Sequence, residues 1–274
     1  MSDREKDQRN DNPERQRARA HDVRASIRSG TWRQQTSGLT PGIVQGNVAI
    51  VPAAYAGDFE AFCNANDRPC PIIAKSKIGD PMLPALGADI DIRTDLPMYN
   101  VYRNGALESE VHDITSLWQD DLVTFAFGCS FSFEENLIAG GVPLHHIDAG
   151  VSCPVYLSSI DTTPVGPFFG KLVVSMRSFT PADAERADAI TSRYPLLHGG
   201  PIHKGDPAAI GIADLNAPDW GDVVPVPEGE VPLFWACGVT PHVVLMNAKL
   251  PFCMTHKASH MLVTDLLTSQ MAAA

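Results

Sequence analysis

Cys129, Ser130 and Glu134 stand within "FGCSFSFEEN" (residues 127–136), at the end of an apolar run and directly before helix-forming residues. A thiol, a hydroxyl and a carboxylate so placed could supply a nucleophile, a hydrogen-bond donor and a proton-transfer group. In α/β sheets ligands gather at the carboxyl ends of strands, and a helix N-terminus there attracts anions and lowers a thiol's pKa. The same stretch also has a purely structural reading. Ser132 to Glu135 spells an S-x-x-E capping box, and Cys129 suits a strand end as a small apolar residue. A second strand ends alike, "LFWACG" placing Cys237 before Gly238 and a Thr240-Pro241 turn. Cofactor-independent racemases use facing thiols as base and acid, which makes an amino-acid racemase a competing expectation.

Histidines cluster late, with His198 and His203 in "LLHGGPIHKGD", His242 in "TPHVV", and His256 and His260 in "MTHKASHML". On a helix His256 and His260 would share one face and could chelate a metal with Asp265, but that spacing fits a proton-transferring or hydrogen-bonding pair better. No metal and no cofactor are expected. Arg93 in "DIRTDLP" and Arg177 in "VVSMRSF" sit in apolar or tight segments, where a guanidinium needs an anion. Two partners are open: an internal carboxylate such as Asp91, Asp95 or Glu134, or the carboxylate of a substrate gripped by the bidentate fork.

Strands and helices must position these groups. "VAIVP" reads as a strand, with a helix from an Asp58 cap to about Asn66 that turns Phe59, Phe62 and Cys63 inward. Residues 67–107 read as loops with short strands. "DLVTFAFGC" is apolar enough for a strand buried on both faces, followed by a helix from Phe133 to about Ala139. "CPVYLSSI", "KLVVSMRSF" and "VPLFWACG" follow as strands, and Thr180-Pro181 starts a helix. Alternation of strand and helix predicts an α/β fold with a mixed or mainly parallel sheet, flanking helices and an intertwined smaller α+β lobe. Residues 1–12 are expected to be a disordered tail. A helix over 13–30, capped by Asn12 with Pro13 at its first position, is expected to dock on the body through Ala20, Val23 and Ile27. Residues 31–274 would form a single catalytic domain of two intertwined lobes.

The 274 residues can bury a sizeable core. Of the net charge of −11, residues 1–35 hold nine Arg/Lys against six Asp/Glu, so the body is strongly acidic. That surface repels phosphate backbones, and no nucleic-acid partner is expected. No apolar run reaches membrane-spanning length, so no membrane partner is expected. Six cysteines without CxxC pairs fit reduced thiols in a cytoplasm. A homo-oligomer is the prior for a metabolic enzyme of this size.

Together, "GCSFSFEENLIAGGVPLHH", "LVVSMRS", "RYPLLHGGPIHKGDPAAIGIADLNAPDWGD", "GEVPLFWACGVTP" and "THKASHMLVTDL" resemble the hydro-lyase family related to D-glutamate cyclase. "SGLTPGIVQGNVAIVP", "NANDRPCPII" and "ADIDIRTDLPMYNVYRNG" resemble it upstream, in the same order. The resemblance runs from about residue 20 to 268. It implies an α/β protein of two intertwined lobes that removes water from a small amino or hydroxy (di)carboxylic acid, with conversion of D-glutamate to 5-oxo-D-proline as the best-described reaction. Ser152, Asp161-Thr162 and Ser259 depart from the family pattern near expected site loops. Cyclisation needs a deprotonated amine, a proton for the leaving hydroxide and donors for an oxyanion. On this view Cys129, Ser130, Glu134, His203, His256 and His260 are the catalytic candidates. Arg93, Arg177, Asp206 and Thr240 are the candidates for holding a small carboxylic-acid substrate. A small-acid binding protein without catalysis is the non-enzyme alternative.

Overall fold

A computed structural model describes residues 12–273. The expected tail lies outside these residues except for Asn12, whose side chain accepts a hydrogen bond from the Arg15 amide at 2.9 Å. That cap opens α1 (Pro13–Arg28), as the Asn-Pro pair predicted. Ala20 and Ile27 of α1 pack against Ile43, Val263 and Leu267. Beside them Arg24, only 1 % exposed, reaches Asp89 at 2.7 Å and Asp265 at 2.8 Å.

Strands and helices mix along the chain, as expected of the α/β class. The first sheet holds β1 (Ile43–Pro52), β2 (Ile72–Lys75), β3 (Tyr99–Arg103), β4 (Ala106–Val111), β5 (Leu122–Gly128), β10 (Cys253–His256) and β11 (Leu262–Leu267). Its order is β2-β5-β1-β10-β3-β4, with β11 also paired to β1. The second sheet, β6 (Val155–Asp161), β7 (Lys171–Phe179), β9 (Val231–Ala236) and β8 (His203–Lys204), is ordered β6-β7-β9-β8. It arises wholly from chain between β5 and β10.

Every pairing among these strands is antiparallel, which corrects the expectation of a mixed or mainly parallel sheet. The buried run of β5 misled for a physical reason. Burial on both faces signals two covering layers and carries no information about strand direction. One face of β1 and β5 meets the irregular segment carrying Leu83, Leu86, Ile90, Ile92 and Leu96. The other meets Phe59, Phe62 and Cys63 of α2 (Ala53–Ala65) and Val244 and Leu245 of α6 (Thr240–Ala248). Those three residues of α2 point inward as predicted, but the helix starts at Ala53, and Asp58 lies inside it.

The second sheet is covered on one face by α3 (Phe131–Ala139) and α5 (Pro181–Thr191), with Phe133, Leu137, Ala184 and Ala187 on Leu233 and Trp235. A short α4 (His145–Asp148) joins α3 to the loop before β6. Thr180 caps α5 as predicted, accepting from the Asp183 amide at 3.2 Å. Thus α3, which leaves the first sheet at β5, packs on β1 and on the second sheet, and α6, which leaves the second at β9, packs on β7 and on the first. The seam between the sheets lies where these strands end. Among the described residues no helix is long and apolar enough to cross a membrane.

Arg24→Ala removes the buried cation shared by Asp89 and Asp265, and only Asp89 retains a second arginine, Arg28 at 2.8 Å. Full burial of a broken pair costs about 3–5 kcal/mol, and the partial exposure of both carboxylates reduces this to about 2 kcal/mol. A lower urea midpoint with an unchanged slope is the expected result.

Candidate functional site

At the seam lies a small cavity of about 30 Å³, walled by residues in or directly after five strands. Asn47 comes from β1, Cys129 and Ser130 follow β5, Ser175 lies in β7, Cys237 follows β9 and His256 ends β10. Cys153, ahead of β6, completes a set of three thiols. Close approach is built into the backbone. A Cβ on Gly238 would fall 2.1 Å from the Asn47 amide nitrogen, which instead donates to the Gly128 carbonyl at 2.7 Å.

His256 is fully buried in this wall. The Val48 amide, which can only donate, lies 3.1 Å from His256 Nδ1. The Val48 carbonyl, which can only accept, lies 3.2 Å from the same nitrogen; on the shorter of the two contacts we assign the ring proton to Nε2. Nε2 is buried and has no hydrogen-bond partner among the described residues. Behind it His242 Nε2 sits 3.1 Å from His256 Nδ1, the two rings edge to face at 4.5 Å. Burial pulls His256 down to about 4 and His242 well below the usual imidazole range, so both are neutral at pH 7.

Against the cavity lies a buried ionic cluster. Arg177 donates through Nε to Glu134 Oε1 at 3.0 Å and through Nη2 to the same oxygen. His146 Nε2 approaches that oxygen at 3.0 Å. Burial would raise the Glu134 carboxyl, but Arg177 and His146 outweigh it and hold the group below the usual carboxylate range. Arg177 also donates to Ser130 Oγ at 3.1 Å and to Ser175 Oγ at 3.2 Å. Both hydroxyls accept from a cation, which leaves their own protons free to donate.

The thiols behave differently from the strand-end expectation. Burial pushes Cys129 far up, Cys153 to about 12 and Cys237 to about 11, so none is a thiolate at neutral pH. The N-terminus of α3 does not offset that desolvation. The capping-box expectation is also corrected. Ser130 occupies the cap position without a side-chain cap bond, and Ser132 is the second residue of the helix, its Oγ accepting from the Gln45 amide at 2.8 Å.

The structure thus brings Cys129, Ser130 and His256 into one cavity and sets Glu134 and Arg177 behind it. The remaining candidates stand elsewhere. Arg93 is half-exposed and bound to Asp91 at 2.6 Å, the internal partner left open above. His203 Nε2 meets the Asp206 carbonyl at 2.7 Å, while the Asp206 carboxylate accepts from the Ala208 amide. Thr240 Oγ1 donates to the Cys237 carbonyl at 2.8 Å, a buried turn contact. His256 and His260 do not share a helix face: one ends β10, and the other lies in the following loop with Nδ1 2.9 Å from the Ala258 carbonyl. No group of three or more His, Cys, Asp or Glu among the described residues is placed to hold a metal ion.

Asn47, Cys153 and Ser175 were missed from sequence because their neighbours across the seam are distant in the chain. Ser259 and Ser152, two of the departures from the family pattern, meet at this wall. Their hydroxyls lie 2.6 Å apart, with Ser259 at φ +66°.

His198 and His256 are both held near 4. A histidine with a lowered folded pKa contributes stability that is fully present above about 6.5 and is lost as pH falls toward 4. The urea midpoint should therefore drop between pH 7 and 4.5. His256→Asn should make that drop shallower by about 1–2 kcal/mol, and an equal drop in both proteins would refute the assignment.

The D-glutamate cyclase family model matches residues 123–265, which carry Cys129, Ser130, Glu134, Arg177, Cys237 and His256. A protein of Verminephrobacter eiseniae named "Putative hydro-lyase" is 53% identical over 93% of each chain. A Bordetella pertussis protein with the same designation is 55% identical over 92% of this chain and 91% of its own. One from Jannaschia sp. is 54% identical over 89% and 92%. With identity at this level across nearly the whole chain, and the seam cavity inside the matched segment, the protein belongs to the hydro-lyase family related to D-glutamate cyclase.

Proposed function

We propose that this chain removes water from a small amino or hydroxy acid at the seam cavity, with cyclisation of D-glutamate to 5-oxo-D-proline as the leading reaction. The observation that carries this is the orphaned Nε2 of a neutral His256, in a residue that lines the same cavity as Ser130. In the cyclisation the amine nitrogen bonds to the γ-carboxyl carbon. Two of the three ammonium protons leave with one carboxylate oxygen as water. Negative charge develops on the other oxygen, where preorganised donors stabilise the tetrahedral state most. His256 Nε2–H and Ser130 Oγ–H are two such donors, and Arg177 polarises the second from behind. Cys129 contributes a neutral thiol in this account, without a covalent step.

Purified protein incubated with D- and L-glutamate should yield 5-oxoproline from one enantiomer, read by mass spectrometry. His256→Asn and Ser130→Ala should each lower kcat by about 10²-fold or more. Arg93→Ala and His203→Asn should stay within about twofold. Full activity in His256→Asn would sink the assignment. Tight binding without turnover across a panel of dicarboxylic and hydroxy acids would favour the binding-protein alternative.

One observation favours a second reading: Cys129 and Cys237 line the same cavity, as a two-thiol racemase requires. Their raised pKa values weigh against it, since one thiol must be ionised to abstract a proton. A racemase would exchange the substrate α-proton with deuterated water, and Cys237→Ser would abolish that exchange. The cyclase reading expects little exchange in either protein.

A further inference from the structure

The seam cavity has room for about two water molecules, at the ~10–15 Å³ that each needs, whereas an amino dicarboxylic acid has about ten non-hydrogen atoms. Space for the remainder lies next door. Phe131, the half-buried first residue of α3, lines both the cavity and a second pocket of about 140 Å³. Thr40, Gln45, Ser132 and Glu134 stand in the wall of that pocket.

Two of its wall residues carry orphaned polar atoms. Thr40 Oγ1 and Gln45 Oε1 are buried without hydrogen-bond partners, on residues each 3 % exposed. Native structures leave few such atoms unmatched, and each calls for an explanation. The Gln45 amide is not free to flip: its Nε2 donates to the Thr36 carbonyl at 2.9 Å, so the turned amide would set two carbonyl oxygens together. Oε1 therefore remains an acceptor. The larger pocket offers acceptors through Thr40 and Gln45, and the small cavity offers donors through His256 and Ser130.

We infer that the two spaces are halves of one substrate chamber divided by the Phe131 ring, which swings aside on binding. Thr40 and Gln45 receive the ammonium group of an amino acid whose acid end reaches His256. This rests on the reading of the His256 cavity as the reacting centre, and it selects amino acids over the hydroxy acids that reading leaves open. Acceptance of an N–H by Gln45 would also turn the lone pair of the deprotonated amine away from the pocket wall.

Titration calorimetry with D- and L-glutamate, 2-hydroxyglutarate and glutarate tests this. Wild type should bind one glutamate enantiomer at least about tenfold more tightly than glutarate, the scale of one buried hydrogen bond. Thr40→Val and Gln45→Met should each compress that preference to about threefold or less. Thr40→Val should keep or raise the melting temperature, because the deleted hydroxyl has no partner in the free protein. Phe131→Trp should weaken every ligand about tenfold. Equal binding of glutamate and glutarate, a preference that survives both variants, unchanged binding in Phe131→Trp, or no amino-acid binding would overturn the inference. Product assays on the same samples separate it from the reaction itself. An amine preference without 5-oxoproline formation refutes the cyclisation alone, and turnover without the preference refutes only the divided chamber.

Discussion

A guanidinium buried between two sheets has to be neutralised, and Arg177 is neutralised across the seam. It projects from β7 in the second sheet, while Glu134 and Ser130 belong to the segment leaving β5 in the first. Desolvating either charge alone would cost several kcal/mol, so the pair tolerates little relative movement of its two supports. The Phe133 and Trp235 rings lie 5.4 and 5.5 Å from the guanidinium and help exclude water. Cys129, Ser130, Ser175 and Cys237 all sit on elements that this contact holds together.

The same burial shapes the chemistry on offer. Desolvation keeps His256 and His242 neutral and the three thiols protonated, so the cavity presents hydrogen-bond donors in place of mobile charge. The fixed charge stands one layer back, in Arg177 and Glu134, and reaches the cavity through Ser130 and Ser175. Such an arrangement suits a developing oxyanion, where low dielectric strengthens each donor.

Local signals in the sequence were dependable where one residue type satisfies a backbone group nearby. Asn12-Pro13 and Thr180-Pro181 begin helices because a side-chain oxygen meets an amide three residues on. The local pattern failed at Ser132, whose hydroxyl bonds the backbone of Gln45, 87 residues away, in preference to its own helix. It failed again at Asp58, since α2 begins directly where β1 ends. Strand direction was not legible at all, because an apolar run reports how many faces are covered and nothing of what covers them.

By itself the sequence determined the mixed helix and strand content, the positions of Cys129 and Cys237 at strand ends, and the family. Those properties reside in residue types and short spacings. Only the tertiary structure decided that Cys129, Ser130 and His256 share a cavity, that Arg177 answers Glu134, that Arg93, His203, Asp206 and His260 serve local contacts, and that Thr240 ties its turn to the Val173 amide. The shared cavity and the Arg177–Glu134 pair depend on which distant segments cross the seam, and on a desolvation that exists only once both sheets have closed over it.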